Sequence, residues 1–168
     1  MKAEGIARRI AVSVYADDDY RLVARSGFDA VQIPQNVFDW RQIESGGIEA
    51  LQKAGMLIFV RSVFLQGMLC MDRPPERFDF MIPSLDALRE VARQEGMTLT
   101  QLAVSYIRDL PGVDSLVLGC EKPEQVRDNA ALIQGPALSA KAMDAIAAIG
   151  PTVPMEHCME VIRQKKHN

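Results

Sequence analysis

Short runs of β-branched and apolar residues alternate along the chain with longer stretches whose apolar positions recur three or four residues apart. The first pattern belongs to strands and the second to helices. Ile10–Val14 reads as a strand. Asp17-Asp18-Asp19 then supplies N-cap chemistry for a helix through Tyr20, Leu22, Val23 and Ala24, stopped by Gly27. Ala30–Ile33 is the second strand. A helix after Asp39 carries Ile43, Ile48, Leu51 and Ala54 and closes at Gly55. Gly46-Gly47 is its weak point, since each glycine costs a helix about 1 kcal/mol. Leu57–Val60 is the third strand, and Cys70–Pro83, broken by Pro74-Pro75, reads as a long loop. Leu85, Leu88, Val91 and Ala92 mark a helix ending at Gly96. Thr98 and Gln101 form a capping box for the next, which carries Leu102, Ala103, Tyr106 and Ile107 and stops before Pro111. Ser115–Leu118 is the fourth strand. Pro123 suits the first helical position after it, with Glu124 favourable to the helix dipole. Ser139–Ile149 is a further helix.

Strands separated by helical segments predict parallel βαβ units, hence an α/β fold. Four strands are readable. The expected architecture is a partial (β/α)₈ TIM barrel, because a full one takes about 250 residues and this chain has 168. Residues 1–168 are expected to form a single domain, with 151–168 as a C-terminal tail or a short helix over Met155–Gln164. Four strands also leave two sheet edges to be covered.

Composition narrows the function classes. The net charge is −3, with no general attraction for nucleic acid or an anionic membrane. The basic end Arg163-Gln164-Lys165-Lys166-His167 reads as a solvated terminus. Cys70, Cys120 and Cys158 fit neither a disulfide framework nor a zinc site. Reduced thiols, a polar N-terminus and the lack of a membrane-length apolar run lead to the expectation of a cytoplasmic protein. Asp17-Asp18-Asp19 reads as capping, and no metal site is expected.

The chemistry concentrates where strands run into loops, which is where (β/α)₈ barrels hold ligands. Leu57–Val60 leads into Arg61-Ser62-Val63-Phe64-Leu65-Gln66-Gly67. Ala30–Ile33 leads into Pro34-Gln35-Asn36, and the fourth strand leads into Gly119. Ile10-Ala11-Val12-Ser13-Val14-Tyr15, Asp29-Ala30-Val31-Gln32, Arg61–Gly67, and Gly119 with Pro123-Glu124-Gln125-Val126 and Asn129 occur in that order. In this the chain resembles the aldo-keto reductase family from about Ala7 to Ile149. The four pieces look like the fifth to eighth barrel strands and their loops.

The resemblance implies an oxidoreductase fragment that carries the half of the barrel binding NADP(H) or NAD(H). Ser13 and Gln32 look like the contacts to the nicotinamide carboxamide, a group that needs both a donor and an acceptor. Arg61, Ser62, Phe64, Leu65 and Gly67 look like the loop along the ribose and pyrophosphate. Gly119, Glu121, Lys122, Gln125 and Asn129 look like the adenosine side, at a helix start suited to an anion. Val14 stands where the family usually has asparagine. Glu121 stands where a cation or hydroxyl often meets the 2′-phosphate.

The family's tyrosine, lysine, aspartate and histidine belong to its first four strands, and no catalytic residue is assigned here. The resemblance thus implies no reductase activity by this chain alone. As alternatives, it is one subunit of a split reductase completed by an N-terminal half-barrel chain, or a non-enzymatic homo-oligomer of half-barrels. From the residues themselves, Ser13 serves equally as a strand-end hydroxyl. Arg61 either pairs with a core carboxylate or faces the barrel mouth. Cys120 is more simply a packed thiol.

Overall fold

The computed structural model describes residues 1–164. Four parallel strands, β1 (Ala11–Ser13), β2 (Ala30–Pro34), β3 (Leu57–Arg61) and β4 (Val113–Leu116), lie side by side in chain order. β1 pairs only with β2 and β4 only with β3. The two predicted free edges are therefore present among the described residues. Register aligns Ser13, Gln32, Phe59 and Ser115 in one row across the sheet. Alternation within β1 to β3 assigns Ser13, Gln32 and Phe59 to one face and Val12, Val31 and Ile58 to the other. Val31, Ile33, Ile58 and Val60 are fully buried in the core. The opposite row is half-buried or exposed.

The helices are α1 (Tyr20–Val23), α2 (Arg41–Glu44), α3 (Gly47–Lys53), α4 (Ile82–Gln94), α5 (Leu99–Arg108), α6 (Pro123–Ile133), α7 (Ala140–Ile149) and α8 (Met155–Gln164). Asp19 caps α1 as expected, its carboxylate accepting from the amides of Arg21 and Leu22. α3 and α4 end in the predicted glycines. Gly55 and Gly96 take φ of 71° and 68°. The next amides, of Met56 and Met97, return to the carbonyls of Leu51 and Ala92, which satisfies the helix ends by the Schellman arrangement.

The structure corrects four expectations. The helix after Asp39 is two, α2 and α3, because Gly46 adopts a left-handed φ of 73° between them. β4 begins two residues earlier than Ser115–Leu118. A register shift at Ile58/Phe59 draws Val113 into the ladder, and the Val117 amide still donates to the Val60 carbonyl at 2.7 Å. Residues 70–83 are not an open loop. Two 3₁₀ turns, Met68–Cys70 and Glu76–Met81, bury Met68, Leu69, Phe78 and Met81, and Pro83 lies in the first turn of α4, where its missing N–H costs nothing. The capping box of α5 is only half made. Thr98 accepts from the Gln101 amide, whereas the Gln101 side chain reaches Ser105 and the Leu132 carbonyl.

One core cluster runs from Val14 to Ile162 and includes Ile146 of α7 and Cys158 of α8. α6 meets it only at its edge, through half-buried Leu132, and none of its residues is fully buried. The Arg108 guanidinium instead holds the chain end of α6, donating to the carbonyls of Ile133, Gly135 and Pro136. Asp109 grips the same guanidinium at 2.7 and 2.8 Å. No helix among the described residues is long and apolar enough to cross a membrane.

Candidate functional site

The C-terminal ends of β1, β2 and β3 and one wall of α8 enclose a cavity of about 170 Å³. Tyr15, Ala16 and Asp17 follow β1. Pro34, Asn36, Asp39 and Arg41 come from the end of β2 and the segment after it. Arg61, Ser62, Leu65 and Gln66 follow β3, and Met159, Ile162 and Arg163 come from α8. Asn36 and Asp39 are nearly inaccessible to solvent. Each is held by local bonding. The Asn36 side-chain oxygen accepts from the Phe38 amide at 2.9 Å, and Asp39 takes the Arg41 guanidinium in a two-bond fork at 2.8 and 2.9 Å. That fork raises the Arg41 pKa against the opposing effect of burial. Gln35, buried beside them, donates to the Asp39 carbonyl.

Arg61 resolves the choice left open by the sequence: it faces the mouth. Its guanidinium donates to the Val14 carbonyl at 3.1 Å and to the Ser62 hydroxyl at 3.3 Å, and lies 5.5 Å from the centre of the Tyr15 ring. Ser13 and Gln32 sit one row below on the same face. The Ser13 hydroxyl donates to the Gln32 side-chain oxygen at 3.1 Å. The Gln32 amide nitrogen and the Ser13 lone pairs are left over, a donor beside an acceptor.

The Ser62–Gly67 loop has an unusual backbone. Ser62, Leu65 and Gln66 have φ of 64°, 46° and 55°, and Gly67 follows at 87°. Left-handed conformations in residues other than glycine cost about 1–3 kcal/mol each and concentrate at ligand sites. Buried Val63 and Leu65 anchor the turn from below. The amides of Val63, Phe64 and Gln66 donate to no protein acceptor among the described residues. Phe64 packs, half-buried, against the core.

The remaining predicted residues form a separate group beyond β4. The Gln125 side-chain oxygen accepts from the amides of Glu121 and Lys122 at 2.6 and 3.0 Å. Asn129 donates to the Gly119 carbonyl and the Cys120 sulfur at 3.4 and 3.0 Å. These two side chains staple the loop that starts α6. A Cβ added at Gly119 would meet nothing within 4 Å. Glu121, Lys122 and Cys120 are exposed, so the packed-thiol reading of Cys120 fails.

Sequence reasoning missed Tyr15, Asp17, Arg41 and the α8 wall as parts of the pocket. Arg163 lies 3.4 Å from Asp17, so this part of the basic end meets the strand ends. Lys165, Lys166 and His167 lie outside the described residues. The His157 ring packs tilted against Phe80, with centroids 4.8 Å apart. The α8 stripe Met155, Cys158, Met159 and Ile162 had helical spacing, but nothing in it specified where it would dock.

Comparison with known proteins places the fold. An aldo-keto reductase from Bacillus halodurans superposes with TM-scores of 0.72 in its apo form and 0.73 in its holo form, at 23% identity. The match covers 88% of this chain and 53% and 52% of those chains. A glycerol dehydrogenase from Gluconobacter oxydans matches at TM-score 0.70 and 21% identity, covering 88% of this chain and 50% of its own. The chain thus spans about half the length of these structures, and its four parallel strands and helices correspond to about half of their barrel. No curated protein matches it. The profile of the Aldo/keto reductase family matches residues 1–151. With nine-tenths of its length under that profile, the chain belongs to the aldo/keto reductase family.

Proposed function

We propose that this chain is the nicotinamide-dinucleotide-binding half of an aldo-keto reductase-type barrel, equivalent to strands five to eight, with the hydride-transfer acid supplied from outside it. The observation that carries the reading is the Ser62–Gly67 loop. Its three unengaged amides lie at the strand end beside the Ser13–Gln32 pair, and unpaired amides in a left-handed turn suit phosphate oxygens. Ser13 and Gln32 would hold the carboxamide, and Arg61, Ser62, Phe64, Leu65 and Gly67 the ribose and pyrophosphate. Gly119, Glu121, Lys122, Gln125 and Asn129 would face the adenosine end. The cofactor, NADP(H) or NAD(H), supplies the hydride. The chain's own residues supply binding and orientation.

Calorimetric titration of the purified chain with NADPH and NADH tests this. Millimolar or tighter binding is expected, with Gln32→Leu weaker by roughly the 0.5–1.5 kcal/mol of one hydrogen bond. No heat with either nucleotide would overturn the reading.

The free edges of β1 and β4 favour a second reading, in which another chain completes the cylinder. If a complementing N-terminal half exists, NADPH oxidation appears only when both chains are present. If the chain instead pairs with itself, light scattering gives twice the monomer mass and no oxidation.

A further inference from the structure

The charges lining the strand-end pocket do not cancel. Three arginines and two aspartates contribute to it. Arg41 is taken by Asp39 and Arg163 by Asp17. Arg61 has no carboxylate within 4.0 Å among the described residues. Of the five N–H donors of a guanidinium, Arg61 directs one to the Val14 carbonyl and one to the Ser62 hydroxyl. Three are left at a half-buried position, braced by the Tyr15 ring. The other walls are mainly aliphatic: Ala16, Pro34, Leu65, Met159 and Ile162.

We propose that this pocket binds a small aliphatic carboxylate, its head group on Arg61 and its chain against Leu65, Met159 and Ile162. One unmatched guanidinium fits one negative charge, and its planar fork matches the two oxygens of a carboxylate. A phosphate dianion would call for a second cation, and both other arginines are already paired. A cavity of about 170 Å³ holds a molecule of a few carbons. The pocket shares Arg61, Ser62 and Leu65 with the proposed nucleotide site, but the carboxylate assignment stands on the unmatched Arg61 charge and not on nucleotide binding.

The test is calorimetry on the full chain, without nucleotide, using butanoate, its neutral analogue butanamide, and inorganic phosphate. Butanoate is expected to bind at least tenfold more tightly than either, a difference of about 1.4 kcal/mol. Arg61→Met should remove that preference, and Arg61→Lys should keep part of it. Asp17→Asn should tighten butanoate severalfold by releasing Arg163. Asp17 is exposed, so this variant remains informative if Arg61→Met does not fold. Equal binding of butanoate and butanamide, tighter binding of phosphate, or indifference to Asp17→Asn would overturn the assignment. A null NADPH titration would leave a positive butanoate result intact.

Discussion

Helices α5 and α6 follow one another, are ten and eleven residues long, and flank β4, yet α5 buries seven residues and α6 none. The difference lies in what holds them. α5 inserts Leu102, Ala103, Val104 and Ile107 into the core at essentially zero exposure. α6 leaves Val126 and Ile133 at 55% and 40% exposure and is tied by polar bonds from Gln101 and Arg108. The contrast extends to the candidate site. Ser13, Gln32 and the Ser62–Gly67 loop stand on strands backed by fully buried side chains. Gln125 and Asn129 stand on the thinly packed helix α6, with Gly119, Glu121 and Lys122 in the loop before it. Segments with few buried apolar contacts open locally at low free energy, so the two ends of the proposed nucleotide site differ in preorganisation.

The largest expected effect tests the buried side of this contrast. Leu102→Ala should cost about 2–5 kcal/mol by combining lost transfer energy with a cavity, measured by denaturant unfolding. Next is Gly150→Ala. The new Cβ would lie 2.0 Å from Trp40 Nε1 and 2.5 Å from the Val37 carbonyl oxygen, two atoms that hydrogen-bond to each other. Overpacking of this kind costs about 1–3 kcal/mol, and the shift of the Trp40 fluorescence should accompany it.

A third effect appears only in alkali. Burial, with a smaller contribution from Asp39, pushes the Cys158 thiol up to about 11 from its ordinary 9.0. The folded state then keeps a proton that the unfolded state loses. Stability is fully present below pH 9 and falls as pH rises toward 11. Cys158→Ala should flatten that part of the stability-against-pH curve. The smallest effect belongs to α6. Val126→Ala should change stability by less than about 0.5 kcal/mol. A cost near that of Leu102→Ala would erase the distinction between the two helices.

Much of the scaffold was legible because single segments carried enough signal. The β-branched runs marked β1 to β3, and Gly55 and Gly96 marked helix ends whose left-handed geometry needs no tertiary information. β4 was displaced because Val117 and Leu118 outweighed Val113 and Asp114 in the pattern, while the ladder was set by the bulge at Ile58/Phe59. The segment 70–83 was read as a loop because its prolines spoke louder than Phe78 and Met81, which bury without helical periodicity. At the site, Ser13 and Gln32 stood out as polar positions in apolar strands. Asp17 with Arg163, 146 residues apart, could not, since only the docking of α8 brings them together.

Arg108 gives this arrangement a further meaning. One side chain collects three carbonyls at the end of α6, so with Gln101 the placement of that helix is recorded at two polar side chains of α5 more than across an apolar interface. A substitution at Arg108 would leave α6 intact as a helix but held only by Gln101 and the packing of Leu132. The loop stapled by Gln125 and Asn129 would drift with it, while the strand-end pocket stayed where it is. The two groups of residues thus differ in how far one substitution can move them.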